Sequence, residues 1–262
     1  MTQPRSSAVL SALALCALLA FAGFVALGIW QVERRAWKLD LIARIDQRVH
    51  APAVAPPAAD QWPKVNAADD AYRRVRATGT FLHDRETLVQ ATTELGGGYW
   101  VLTPLRIADG SILLVNRGFV PPEARDRSTR GAADGEDEST VTGLLRMTEP
   151  GGSFLRHNDP AADRWYSRDV QAIAAARGLR GVAPYFVDAE AAAPVRSSAG
   201  AANAPRTWPV GGLTVISFPN NHLVYAFTWF ALALMVAAAA WYVGRDERRV
   251  RGARIGEDAG HD

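Results

Sequence analysis

Two long apolar stretches, one near each end of the chain, restrict the possible folds more than any other feature. Ser6 to Gln31 contains no charged residue, and Ala8 to Trp30 is almost wholly apolar. A second charge-free stretch runs from Thr207 to Gly244, with its apolar run from Leu223 to Val243. Because a helix rises about 1.5 Å per residue, each run can cross the roughly 30 Å hydrocarbon core of a bilayer. We therefore expect transmembrane helices at residues 8–30 and 223–243.

The first stretch has an alternative interpretation as a cleaved signal peptide. Ala20-Phe21-Ala22 looks like a cleavage site,. The apolar run continues well past it to Trp30, which is long for a signal sequence,. We favour a retained helix.

The charges of the short tails predict the orientation of both helices. The N-terminal tail, residues 1–7, carries Arg5 and the free amine. The C-terminal tail, residues 244–262, carries Arg245, Arg248, Arg249, Arg251 and Arg254. Both termini are therefore expected in the cytoplasm, with the central domain in the periplasm of a bacterial cell whose inner membrane the chain crosses twice. Basic residues directly after the first span, Arg34, Arg35 and Lys38, oppose this orientation at that helix.

Overall charge and cysteine content exclude several classes of function. The formal net charge of 262 residues is only +2, which gives no reason to expect a nucleic acid partner,. Cys16 is the only cysteine, so a disulfide framework, paired-cysteine redox chemistry and a thiolate zinc site within one chain are excluded,.

The central domain, residues 31–222, is expected to be α+β with mostly antiparallel strands. Apolar residues at helical spacing predict that Glu33–Val49 is a helix leaving the membrane, and the Ala/Pro-rich segment His50–Pro63 predicts an irregular connection,. Another short helix, Asp169–Gly178, ends at its glycine,. Period-two patterns and turn residues predict strands at Tyr72–Phe81, Glu86–Ala91, Tyr99–Ile107, Ile112–Val120, Thr140–Met147, Tyr185–Asp188 and Leu213–Phe218,.

Turn and loop signals separate these strands. Asp109-Gly110 predicts a tight hairpin, and the triple glycine at residues 96–98 is interpreted as a turn rather than a phosphate cradle,. Pro121–Ser139 and Ala191–Pro205 are expected to be surface loops,.

Recognised catalytic and metal-binding motifs are missing from the sequence. It contains no nucleophile elbow, Walker loop or H-E-x-x-H pair,. The five histidines are scattered without ligand spacing, at positions 50, 83, 157, 222 and 261. A membrane-anchored hydrolase is therefore disfavoured, although residues distant in sequence can still converge.

His222 stands out because it lies at the mouth of the second span. Imidazole is a common haem-iron ligand, and a titratable group at the edge of the hydrocarbon is a functional candidate. Tyr225 and Trp229 follow it at helical spacing, while Trp30 and Gln31 end the first span on the same expected side of the membrane,. The alternative is an ordinary interfacial belt, since His, Tyr and Trp all suit headgroup depth.

Two polar groups in the central domain also have alternative interpretations. The planar guanidinium of Arg117 suits a carboxylate or propionate, but an arginine at a strand end is often structural. The charged residues that flank Trp165 either form a site or hold the start of a helix; they are Asp163, Arg164, Arg168 and Asp169.

With these residues the sequence resembles the surfeit locus protein 1 family of cytochrome c oxidase assembly factors. The matching segments run in family order along nearly the whole chain. They are Leu27 to Gln31 with Arg34, Lys38 and Leu41-Ile42; Thr78 to Phe81; Tyr99 to Pro104; Val115 to Pro121; Trp165 with Arg168-Asp169; and Asn221 to Leu223 with Tyr225, Thr228 and Trp229.

This resemblance implies an assembly factor, not an enzyme, that matures the catalytic subunit of a haem-copper oxidase, with haem a synthase as a further partner and the bilayer as its environment. It also implies that His222 is an axial ligand that binds haem a transiently and that Trp30 contributes to the same site. Tyr225 and Trp229 are expected to pack against the haem, and Arg117 to lie near its propionates. The alternative is a membrane-anchored scaffold that holds the oxidase subunit without binding haem.

Overall fold

The structure is a computed structural model that describes residues 5–130, 138–153, 155–191, 208–214 and 220–258. Its contacts divide the chain into two compact units. The helical unit comprises Met1–Ala43 and Ser217–Asp262, and the sheet unit comprises Arg44–Ile216.

The described part of the chain forms four helices and eight strands, of which α2, β6 and β7 were not predicted from the sequence. The helices are α1 (Ser7–His50), α2 (Ala67–Asp70), α3 (Val170–Ala176) and α4 (His222–Asp258). The strands are β1 (Arg74–Phe81), β2 (Thr87–Thr93), β3 (Gly96–Ile107), β4 (Ile112–Val120), β5 (Ser139–Met147), β6 (Gly152–Ser153), β7 (Arg156–His157) and β8 (Val182–Ala189). Short 3-10 turns occupy Trp62–Lys64, His83–Arg85, Pro122–Ala124, Arg127–Thr129 and Pro160–Ala162.

Both apolar stretches are helical. Helices α1 and α4 are long and apolar enough to cross a membrane, and few of their apolar residues are buried. The segment Glu33–Val49, expected to be a helix leaving the membrane, is the continuation of α1 without a break. Leucine and alanine, which favour helices, are frequent in both stretches, and a helix satisfies its backbone hydrogen bonds internally except at its ends.

The sheet unit is built on a mostly antiparallel sheet that closes on itself. The order is β1-β5-β8-β4-β3-β2, and β1 pairs with β3 as well as with β5, while β4 and β8 form the one parallel pair of this order. Gly79 lies where β1 changes partner, and a Cβ there would meet the carbonyl oxygen of Arg106 at 2.2 Å. A side chain is therefore excluded at the point of closure.

The central strands β4 and β8 are buried on both faces. Val115 and Val187 point into the cluster enclosed by the sheet, whereas Leu114 and Phe186 pack with Trp165 in a second cluster. Helix α3 covers this second face through Val170 and Ile173. This arrangement explains why Ile112–Val120 is an almost continuous apolar run rather than an alternating one,.

The Asp109-Gly110 hairpin between β3 and β4 is confirmed, with Gly110 at a φ of 84°. The interpretation of the triple glycine as a turn is wrong. Residues 96–98 pair with β2 as the start of β3, and the preceding Glu94 and Leu95 make the turn. Small side chains do not prevent strand pairing when the partner strand supplies the hydrogen bonds.

The structure describes only parts of three other predicted segments, one strand and two loops. Leu213 and Thr214 are not in a strand, and the remainder of the strand expected at Leu213–Phe218 lies outside the described residues. The expected loop Pro121–Ser139 contains two 3-10 turns before residue 131, and residues 131–137 are not described. Only residue 191 of the loop expected at Ala191–Pro205 is described.

Gly118 gives a direct test of this packing. Its φ is +130°, and a Cβ would meet the carbonyl oxygen of Val210 at 2.1 Å. Gly118→Ala is expected to lower the free energy of unfolding by about 2 kcal/mol or more, because it adds both backbone strain and a clash. Thermal unfolding of the full chain in detergent, followed by circular dichroism, measures this loss.

Gly97→Ala is the matched control, because a Cβ added at this position would have no heavy atom within 4 Å. We expect it to change the free energy of unfolding by no more than about 0.5 kcal/mol. Equal melting temperatures for both variants would contradict the close approach of Gly118 to Val210.

Candidate functional site

The candidate site lies in the helical unit, where α1 and α4 contact each other in antiparallel orientation. Gly28 is buried against Phe230, whose ring atoms would come within 2.6 Å of an added Cβ. Phe24 and Trp229 stack with their ring centroids 5.7 Å apart. A glycine facing an aromatic ring brings the two helix axes close, as small residues do in membrane helix pairs.

His222 begins α4 and is joined to α1 by a hydrogen bond. Its Nδ1 lies 2.7 Å from Oε1 of Gln31, 191 residues away in sequence. With the amide oxygen of Gln31 as the acceptor, the neutral imidazole donates from Nδ1 and keeps its lone pair on Nε2,. This is the arrangement in which a second group sets the tautomer of a metal-binding imidazole.

The aromatic candidates occupy different surroundings. Trp229 is partly buried by its stacking on Phe24. Trp30 and Tyr225 keep 52% and 54% of their surface exposed. Trp229 therefore fixes the helix pair, whereas the other two side chains present exposed ring surface.

Arg117 belongs to the sheet unit, on β4. Its guanidinium carbon lies 4.9 Å from the centroid of the Phe81 ring, a cation–π arrangement,. In the preceding residue, Asn116, Oδ1 accepts a hydrogen bond from the backbone N–H of Gly118 at 3.2 Å. The hydrogen bond between Asn116 and Gly118 thus gives these two residues of the Asn116-Arg117-Gly118 motif a structural role.

A buried carboxylate that sequence reasoning did not single out is the centre of the polar interactions in the sheet unit. Asp188 is only 3% exposed. Its carboxylate accepts hydrogen bonds from Asn116 Nδ2 at 2.8 Å, from Arg146 Nη1 at 3.0 Å and from Thr214 Oγ1 at 3.1 Å. The fourth donor is Arg168 Nη1 at 3.1 Å. Two arginines and two neutral donors therefore compensate the burial of one charge.

Arg168 connects this carboxylate to Glu149. Its Nε donates to Glu149 Oε2 at 3.0 Å. Burial alone would raise the pKa of Glu149, but the hydrogen bonds and positive charge of Arg168 outweigh that effect and hold the pKa below its usual value of 4.5. Burial likewise opposes the charge of Arg168, but Glu149 and Asp188 raise the pKa of the guanidinium.

Charged residues around Trp165 are used for local structure. Asp169 caps α3 by accepting the N–H of Ala172 at 3.1 Å, which agrees with the structural alternative for this group. Asp163 accepts the indole N–H of Trp165 at 2.8 Å. Arg164 pairs with Asp159 at 2.7 Å.

A small cavity of about 210 Å³ adjoins the Asp188 cluster, and its walls include Trp100 and Leu213. Because the donors around it are already bonded to carboxylates, it offers little to a further anion. Within the described residues, no group of three or more His, Cys, Asp or Glu side chains is placed to hold a metal ion.

Comparison with known proteins covers most of the chain. The family model described as the SURF1 family matches residues 18–234. Surfeit locus protein 1 of Homo sapiens is 36% identical over 224 residues, which are 79% of this chain and 69% of the human protein. The same protein of Mus musculus is 34% identical over 222 residues, covering 79% and 67%. A SURF1-like protein of Monosiga brevicollis is 34% identical over 227 residues, covering 81% and 80%.

Arg168→Met tests the polar cluster. Removing the guanidinium leaves Asp188 buried with fewer partners, so the free energy of unfolding is expected to fall by about 3 kcal/mol. For a unit of this size that corresponds to a melting temperature lower by roughly 6–12 °C. Thermal unfolding of the full chain at neutral pH measures the difference.

The pH dependence of the same variant gives a second measurement. Because its pKa is lowered in the fold, Glu149 stabilises the protein above about pH 4.5, and this contribution is lost as the pH falls through the folded-state pKa,. The difference in free energy of unfolding between the wild type and Arg168→Met should therefore become smaller at acid pH. Arg164→Met removes an exposed ion pair and is expected to cost less than about 1 kcal/mol,. An Arg168→Met protein as stable as this control would contradict the role given to the cluster.

Proposed function

The chain belongs to the SURF1 family, and from this premise we propose that it is a membrane-anchored assembly factor for cytochrome c oxidase that binds haem a transiently through His222. In this role it matures the catalytic subunit of the oxidase and performs no catalytic turnover. The hydrogen bond from His222 to Gln31 carries the proposal, because it leaves one ring nitrogen prepared for iron,.

The surroundings of His222 fit a haem. The macrocycle is apolar, and the exposed rings of Trp30 and Tyr225 offer it aromatic faces at the same end of the helix pair,. Trp229, through its contact with Phe24, holds the two helices together beneath them. When bound, the iron supplies an acceptor for the free imidazole lone pair, and the protein residues orient that lone pair.

Transient binding is consistent with how little of the site is enclosed. His222 is partly exposed, and more than half of the surface of Trp30 and of Tyr225 is exposed. A carrier must release its cargo, so an open edge with one protein ligand suits delivery better than a closed pocket with two. The proposed recipient is the catalytic subunit, and the proposed source is haem a synthase. The role of Arg117 near the propionates stays a prediction, and its guanidinium lies over the ring of Phe81.

We further propose that the protein lies in a bacterial inner membrane with both termini cytoplasmic and the sheet unit periplasmic. The arginines of α4 support this orientation, since residues 245–251 contain four of them against Asp246 and Glu247,. Long domains cross a membrane largely regardless of their own charge, so these short flanking segments determine the orientation.

Replacing the histidine tests the haem site. His222→Ala, purified in detergent from cells that synthesise haem a, is expected to lose the haem absorbance that the wild-type protein retains. Gln31→Leu should weaken haem retention by roughly tenfold, because the imidazole is no longer held in one tautomer. Absorption spectra measure haem, and circular dichroism checks that the helices remain folded.

His157→Ala is the matched control, since this exposed histidine lies on β7 of the sheet unit and is expected to leave haem binding unchanged. A wild-type protein that is colourless but co-purifies with the oxidase subunit would overturn haem delivery in favour of a scaffold. Full haem retention in His222→Ala would remove this histidine from the site.

Reporter fusions test the orientation. Alkaline phosphatase joined after Arg130 is expected to be active, because the sheet unit should lie in the periplasm, whereas a fusion after Asp262 should be inactive. Enzyme activity in intact cells is the measurement. An inactive fusion at Arg130 together with an active one at Asp262 would reverse the orientation.

A further inference from the structure

Far from His222, at the C-terminal end of α4, the helical unit contains a large apolar cavity. Its volume is about 510 Å³, and it lies between α1 and α4. Leu13 and Ala17 form the wall on α1, and Val236 and Val243 form the wall on α4. Such a cavity, bounded by aliphatic side chains on a membrane-spanning helix pair, suits a hydrocarbon chain.

A second cavity of about 430 Å³ lies on the other side of the same ridge of α4. The two cavities share Ala240, Gly244 and Arg248. These residues are spaced four apart, so they form one line along the helix. The ridge is low at Gly244 because glycine has no side chain, and a Cβ added there would enter open space with no heavy atom within 4 Å.

The charges at this end of the ridge suit an anion. Arg248 is exposed at the edge of both cavities. Glu247 is engaged by Arg251, at 3.2 Å, and by the backbone N–H of Arg5, at 3.1 Å, so its charge is compensated within the helix pair. Arg245 adds a further cation and stacks over Trp241, a ring type common at headgroup depth,.

We propose that this end of α4 binds an anionic phospholipid, with its hydrocarbon in the apolar cavity and its phosphate at the arginines of the second cavity, Arg245, Arg248 and Arg249. The low ridge of Ala240 and Gly244, which both cavities share, lets the lipid extend from one cavity to the other. The arginine supplies the planar donors that phosphate oxygens accept. A basic site beside membrane helices is the recognised setting for anionic lipid headgroups.

This site is separate from the proposed haem site. His222 and Arg248 lie 26 positions apart on one helix, or about 39 Å,. The inference requires that both helices lie in a bilayer, but it does not require haem binding. The haem spectrum of the same preparation therefore distinguishes failure of one proposal from failure of the other.

Native mass spectrometry of the full chain in detergent tests the site. The protein is titrated with phosphatidylglycerol and, separately, with phosphatidylcholine of identical acyl chains. The wild type is expected to retain phosphatidylglycerol preferentially. Arg248→Gln should reduce this binding about fivefold, which corresponds to the loss of one arginine near an anionic surface. Arg248→Lys should keep most of the phosphatidylglycerol binding.

Gly244→Leu tests the ridge, since its side chain would stand between the two cavities. This variant keeps every arginine, but we expect it to lose the preference for phosphatidylglycerol over phosphatidylcholine. Gly252→Leu is the matched control: it lies further along α4, also has no heavy atom within 4 Å of an added Cβ, and lines neither cavity. Its lipid binding should equal that of the wild type.

Other results overturn the proposal. Equal retention of both lipids would show that the headgroup is not recognised. Unchanged phosphatidylglycerol binding in Gly244→Leu, or displacement of the lipid by inorganic phosphate alone, would show binding to surface charge without the cavities. Retention of neither lipid would leave the cavities as the seat of another occupant, such as a helix of a partner protein.

Discussion

One buried carboxylate joins segments of the sheet unit that are far apart in the chain. Asp188 on β8 receives hydrogen bonds from β4, from β5 and from the segment that leads into α3. A charge 3% exposed is tolerated only when its oxygens are fully bonded, so these segments must adopt their observed positions together,. The parallel pairing of β4 with β8 and the position of α3 over Trp165 are consistent with this requirement.

The helical unit depends on a different principle, because hydrocarbon offers no hydrogen bonds. Its contact is made by shape, with Gly28 against Phe230, and by polar links at both ends of the pair, Gln31 to His222 and Arg5 to Glu247,. The link from Gln31 to His222 joins the two helices where α4 begins. When Nδ1 of the imidazole donates to the amide oxygen, Nε2 keeps its lone pair for a ligand,.

The two ends of the helix pair therefore offer contrasting chemistry. At the start of α4 an imidazole and exposed aromatic rings suit an apolar macrocycle with a metal. At the other end, small residues and arginines suit a lipid with a phosphate. The two proposals therefore place lipid binding and cargo binding at opposite ends of the same two helices.

Local sequence patterns were sufficient for most of the elements, although they missed α2, β6 and β7. Long apolar runs identified both helices, Asp109-Gly110 identified the hairpin, and period-two runs identified most strands. The triple glycine was misassigned because its low strand propensity was overridden by pairing with β2,. The position of His222 at the mouth of a span was likewise visible, since it depends only on where the apolar run begins.

By itself, then, the sequence determined the two apolar helices, the strand-rich domain between them and the place of the candidate histidine, because hydropathy and residue period act over a few neighbouring positions. Only the tertiary structure decided the closure of β1 onto β3, the role of Asp188 and the bond between Gln31 and His222. Asn116 and Asp188 lie 72 positions apart, and the other pair 191 apart. Contacts over such separations depend on how the whole chain packs, which no local pattern records.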